Sequence, residues 1–139
     1  MLQKQSQRCK YNLLDNGIHE FIILEATRAA ADDYFDALEA LVEKLLAEGA
    51  TPNDIVRVLA DFCTAGNPPM NHMYQRSRRL LDRYPVHPKT RFANVHRSNF
   101  LLSIAQAFVS LLTAATRDKA RIFVDCDREA AIAWLLEDQ

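Results

Sequence analysis

The side chains that could do chemistry stand at junctions, not in a motif. Asp61, Cys63, Thr64, His96, Arg97, Asp125 and Cys126 each fall where an apolar run passes into a loop. Thiolate and imidazole suit zinc, so Cys63, His96 and Cys126 form a conceivable ligand set. No two of them share a short loop, and metal sites commonly draw a close pair from one. No metal is therefore expected, and the cysteines read first as small buried hydrophobes. A Cys–His nucleophile would need hydrogen-bond reach and a third, orienting group, for which Asp125 is the candidate. Thr64 is a candidate phosphoacceptor, because it precedes a predicted helix. A phosphate at a helix N-terminus meets free N–H groups and the positive end of the dipole. No catalytic residue is singled out, and no cofactor is called for.

A second group is basic. His72, Arg76, Arg79 and Arg83 recur at spacings of three and four, which puts them on one helical face. Such a stripe can hold a phosphate, a lipid headgroup or an acidic partner. The plainer alternative is a salt-bridged face neutralised by the acidic first helix. Nucleic acid is not expected, since aromatic residues do not interleave with these arginines and the formal net charge is −1.

The third feature is an absence. From Ser98 to Thr116 the chain carries no Asp, Glu, Lys or Arg. A helix that avoids charge around its circumference expects little water on any side. Leu101, Ile104, Ala105, Phe108, Leu111 and Leu112 can meet a sheet. Phe100, Leu102, Ser103, Gln106, Val109, Ser110 and Thr113 then form a face that needs a second cover. Polar but uncharged residues of this kind suit interface centres. A homodimer through this face is the first expectation. A cover from the chain's own last helix or N-terminal segment is the second, and an apolar ligand cavity the third. The stretch is not a membrane span, because its polar residues leave no unbroken run of about 18 apolar ones.

These residues must be positioned by strands and helices. Lys10–Leu14 and Ile18–Glu25 read as strands, joined by Asp15-Asn16-Gly17, where Asn-Gly supplies positive φ for a tight hairpin. Ile18, Glu20, Ile22 and Leu24 would share one side; His19, Phe21 and Ile23 the other. Thr27 can cap a helix over Arg28–Glu48, whose Tyr34, Leu38, Leu41 and Leu45 make one buried stripe and which Gly49 ends. Asp54–Phe62 is β-branched enough for a strand. Pro68-Pro69 opens a second helix with Met70, Met73, Tyr74, Ser77, Leu80, Leu81 and Tyr84 inside. Thr90–Arg97 and Ala120–Asp125 are strands, Ser98–Thr116 lies between them as a helix, and Asp127 caps a last helix over Arg128–Glu137. Strands alternating with helices imply right-handed crossovers and mostly parallel pairing. The expectation is a single α/β domain over residues 10–139: a mixed sheet of about five strands with four helices, preceded by a frayed tail at 1–9.

Length and composition agree. The chain has 139 residues, enough for one core without staples, and its 49% hydrophobic and 25% charged residues are those of a globular domain. The three cysteines are odd in number and far apart, which suits a reducing compartment. The N-terminus has no apolar h-region of a signal peptide. A cytoplasmic protein is expected.

Three stretches resemble one known group. They are DNGIHEFIILEATRAAADDYFDAL, the strand and Pro-opened basic helix VLADFCTAGNPPMNHMYQRSRRLLDRYP, and the joints FANVHRSNFLLSIAQAF and RIFVDCDREAAIAWL. Together, over about Tyr11–Leu136, they resemble the STAS-like (SpoIIAA-like) domains, relatives of the anti-sigma-factor antagonists. The resemblance implies a mixed sheet with helices packed on it. It also implies a non-enzymatic regulatory module that binds a protein partner or a small apolar molecule. The antagonists are switched by phosphorylation of a serine in an Asp-Ser-Ser-Gly loop. Here that loop reads Cys63-Thr64-Ala65-Gly66-Asn67, with Thr64 its only hydroxyl and no Asp directly before it.

Overall fold

The computed structural model describes residues 8–66, 68–97 and 119–137. The elements are β1 (Cys9–Leu13), β2 (His19–Ile23), α1 (Arg28–Ala47), β3 (Ile55–Asp61), α2 (Met70–Arg83), β4 (Lys89–Val95), β5 (Lys119–Phe123) and α3 (Arg128–Leu135). The strands form one sheet in the order β1-β2-β3-β4-β5, with β1 antiparallel to β2 and all other pairs parallel. This is the expected mixed sheet of five strands. Three helices stand among the described residues. The expected helix at Ser98–Thr116, with Phe100, Leu102, Ser103, Gln106, Val109, Ser110 and Thr113, lies outside them.

Sequence chemistry accounts for most boundaries. Thr27 Oγ1 accepts from the Ala30 N–H and starts α1; Asp127 Oδ1 accepts from the Ala130 N–H and starts α3. The hairpin departs from expectation. Only Gly17 takes a positive φ (+85°), and its N–H donates to the Leu14 carbonyl. Asn16 stays at negative φ, and its Oδ1 accepts from the Ile18 N–H. The connection is thus a turn followed by a left-handed glycine, not the expected Asn-Gly pair of positive φ angles. Cys9, expected at the end of the N-terminal tail, is paired with Ile23 in the sheet and buried.

From β2 to β5 the sheet grows stepwise in one direction. Right-handed crossovers therefore place α1 and α2 on the same face, and α3 packs on the other, over β3, β4 and β5. Each face has its own core. On one, Phe21, Ile23, Val58, Ala60 and Phe62 meet Tyr34, Phe35, Leu38 and Leu41 of α1. On the other, Ile18, Leu59, Ala93, Val95 and Phe123 meet Ala131 and Leu135 of α3. The strand alternation read from β2 holds, with Phe21 and Ile23 in the first core and Ile18 in the second.

The α3 face also carries two arginines side by side, Arg57 of β3 opposite Arg91 of β4. Like charges so placed repel. Here both are spent on the end of α3: Arg57 Nε donates to the Leu135 carbonyl at 2.7 Å and Arg91 Nη2 to the Trp134 carbonyl at 2.7 Å. Those carbonyls stand in the last turn, at the negative end of the helix dipole, and that of Trp134 also accepts from the Glu137 N–H at 3.2 Å. Arg91 further lies 4.0 Å over the Trp134 ring. At the other end of α3, Arg128 Nε donates to the buried Glu20 carboxylate at 2.9 Å.

Candidate apolar binding site

α2 packs chiefly on α1, with Met73 and Leu80 reaching the core beneath. Its backbone lies farther from the strands than that of α1. The space so left is a partly open cavity of about 170 Å³. All seven residues read as the inner face of α2 line it: Met70, Met73, Tyr74, Ser77, Leu80, Leu81 and Tyr84. α1 contributes Leu38, Leu41, Val42 and Leu45. The floor is Val56 and Val58 of β3, Thr90, Phe92 and Asn94 of β4, and Ala120 and Ile122 of β5. Among the described residues that line it there is no Asp, Glu, Lys or Arg.

The hydroxyls around this space are largely occupied. Ser77 Oγ donates to the Met73 carbonyl at 2.9 Å, within its own helix. Tyr84 donates its O–H to Glu43, and its phenol is pushed up to about 12, first by desolvation and then by that carboxylate. His96 is different. It follows β4 at the carboxyl end of the sheet and is 7% exposed. Its ring lies parallel to Phe62, with centroids 4.7 Å apart and planes 4° from one another. Its backbone is fixed from two sides, the N–H donating to the Phe123 carbonyl at 2.8 Å and the carbonyl accepting from the Cys126 N–H at 3.0 Å. Burial lowers the imidazole to about 4, so the ring is neutral at pH 7.

Beside His96 the structure joins two residues that the sequence left apart. Cys63 and Cys126 form a disulfide, with Cα atoms 5.8 Å apart across 63 residues of chain. Their strands, β3 and β5, are not neighbours, and two strand spacings amount to roughly 10 Å. The gap is closed by Asp125 (φ 58°) and Cys126 (φ 54°), which turn the chain back over the end of β4. This corrects the expectation of reduced, unpaired cysteines. Cys63, His96 and Cys126 do share a rim, but the sulfurs are bonded to each other and not free to ligate a metal or to attack a substrate. Among the described residues no group of three or more His, Cys, Asp or Glu could hold a metal ion. The remaining thiol, Cys9, is buried and pushed up to about 12, chiefly by desolvation and further by the Asp33 charge.

Thr64 is exposed in the turn after β3, six positions ahead of the first residue of α2. It does not stand at the helix N-terminus, where Pro69 is the capping residue. The loop does bring Gly66 against Arg97. The φ of +86° favours glycine here, while an added Cβ would meet only the flexible tip of Arg97, 2.6 Å away at Nη2.

The basic stripe of α2 faces the acidic stripe of α1. His72 Nε2 donates to Asp32 at 2.7 Å while its Nδ1 lies 3.4 Å from Arg28 Nη2. Arg76 bridges Asp32 and Asp36, the second at 2.9 Å, and lies 5.5 Å over the Phe35 ring. Arg83 pairs with Glu39 and Glu43. The hydrogen bond from His72, then that from Arg76, holds Asp32 below the usual carboxylate range. Arg79 is exposed. Three of the four anion-site candidates are therefore the clasp that pins α2 to α1, and so help to hold the cavity open.

The chain matches no protein-family model, no curated protein and no solved structure at a level that would show kinship. No helix among the described residues is long and apolar enough to cross a membrane. Sequence reasoning found the wall of the cavity, the inner face of α2, without finding the cavity. Cys63 and Cys126 entered with His96 only as a conceivable ligand set and were not paired, since only the strand order brings β3 and β5 to either side of His96.

Proposed function

We propose that this chain is a non-enzymatic binding module of STAS-like type whose ligand is a small apolar molecule seated between α1, α2 and the sheet. One observation carries the reading. α2 is clasped to α1 by ion pairs, and the described residues lining the space between it and the sheet are mostly apolar, with no Asp, Glu, Lys or Arg among them. A void of this kind forfeits packing unless something occupies it. The test is a thermal-shift screen against small aromatic and aliphatic compounds. A ligand at 100-fold excess over its Kd adds about 2.7 kcal/mol, or roughly 5–11 °C for a domain of this size. Ser77→Leu, which projects bulk into the space, should remove the shift while keeping the fold by circular dichroism. No shift with any compound overturns the reading.

A second reading keeps the regulatory protein partner and the homodimer. It is favoured by the charge-free stretch Ser98–Thr116, which asks for cover on more than one side. Sedimentation at micromolar concentration tests it, and a monomer removes the homodimer.

A further inference from the structure

We propose that His96 is the polar recognition element of this cavity, and that the ligand is a compact apolar molecule, about one ring in bulk, ending in a single uncharged hydroxyl. The inference rests on the cavity being a ligand seat and goes on to its chemistry.

The polar end is set by what His96 lacks. Nine-tenths of the residue is buried, it lines the cavity, and its ring nitrogens have no hydrogen-bond partner among the described residues. Among the described residues the sealed-off side-chain nitrogen without a partner is Arg91 Nε, so the His96 ring nitrogens stay open to whatever enters the cavity. Backbone hydrogen bonds to the Phe123 and Cys126 main chain and the stack on Phe62 hold the ring in place. It is therefore preorganised. A neutral imidazole offers one N–H donor and one bare acceptor nitrogen. A hydroxyl can answer either. Asn94, two residues earlier and on the same side of β4, adds an amide to the same lining.

Size and charge narrow the rest. An engineered protein cavity of about 150 Å³ takes one benzene ring, so about 170 Å³ admits a ring with one or two small substituents. A carboxylate or an ammonium would enter a space with no Asp, Glu, Lys or Arg among its described lining residues, and an unpaired buried charge is strongly disfavoured. Desolvation that already keeps His96 uncharged acts on a ligand in the same way.

The experiment is isothermal titration of the full chain at pH 7.5 with 4-methylphenol, toluene and 4-methylbenzoate. The phenol should bind roughly fivefold more tightly than toluene, the worth of one hydrogen bond, and the benzoate should not bind. In His96→Phe, which preserves the stack on Phe62, the phenol and toluene should bind equally. Should that variant not fold, the wild-type His96 ring resonances decide: they should move with the phenol and stay with toluene. Equal binding of phenol and toluene without a ring shift overturns the role of His96 and leaves the apolar seat standing. Tighter binding of the benzoate overturns the uncharged ligand. Failure of all three to bind overturns the seat itself, and this inference with it.

Discussion

The two faces of the sheet solve the same packing problem in opposite ways. Over β3–β5, α3 lies directly on the strands, with Ile18, Leu59, Ala131 and Leu135 at 0% exposure. Its polar ends are tied down by sheet residues, Arg57 and Arg91 at one end and Glu20 at the other. Across the sheet, α2 has its charges answered by α1 and its apolar stripe answered by little of the sheet below it. A helix can thus be fixed in position by a partner helix while its apolar face stays available. The filled face reads as structure, and the face with the gap reads as a seat.

The largest expected effect comes from the one covalent tie between the loops that feed α2 and α3. The Cys63–Cys126 bond closes a loop of 63 residues, for which chain entropy gives about 4 kcal/mol of stability. Urea unfolding with and without dithiothreitol should differ by that order. A difference below about 1 kcal/mol would mean the two faces are coupled by packing alone.

The next effect singles out the cavity face. His96 is held near pKa 4 when folded, against about 6.5 when unfolded. The unfolded chain therefore binds the extra proton first, and stability rises with pH through this window. The contribution is whole above about 6.5, falls as pH drops toward 4 and is lost below it, amounting to about 3 kcal/mol. His96→Phe should flatten the pH 4–6.5 limb of the stability curve relative to wild type. An unchanged limb would place the acid sensitivity elsewhere.

Local signals were legible where one residue decides one feature. Thr27 and Asp127 cap the helices they were expected to cap, and the stripe from Met70 to Tyr84 was read in full. The acidic face of α1 was seen as a possible neutraliser of the α2 arginines, and the pairs Asp32–Arg76 and Glu39–Arg83 realise it. What stayed hidden depends on strand order. His96 is an ordinary histidine in sequence. It becomes a buried ring between Cys63 and Cys126 only because β4 runs between β3 and β5. Arg57 and Arg91 likewise look like surface charges in alternating strands until α3 is laid across them. Long-range register of this kind is set by the sum of many apolar contacts, and no short window of sequence contains it.

The smallest effect bears most directly on the contrast between the faces. Leu135 of α3 is fully buried against the sheet, so Leu135→Ala removes contacts on every side and leaves a void, at about 3 kcal/mol. Leu81 is only half-buried and borders space that already exists. Leu81→Ala therefore loses fewer contacts and creates little new void, at about 1 kcal/mol. The quantity to measure is the difference, about 2 kcal/mol, from paired denaturation curves of the two variants. If Leu81→Ala costs as much as Leu135→Ala, the space under α2 is as well packed as the opposite core and is no seat. If the difference holds and Leu81→Ala also admits bulkier rings than wild type, the gap is a site whose walls set what it accepts.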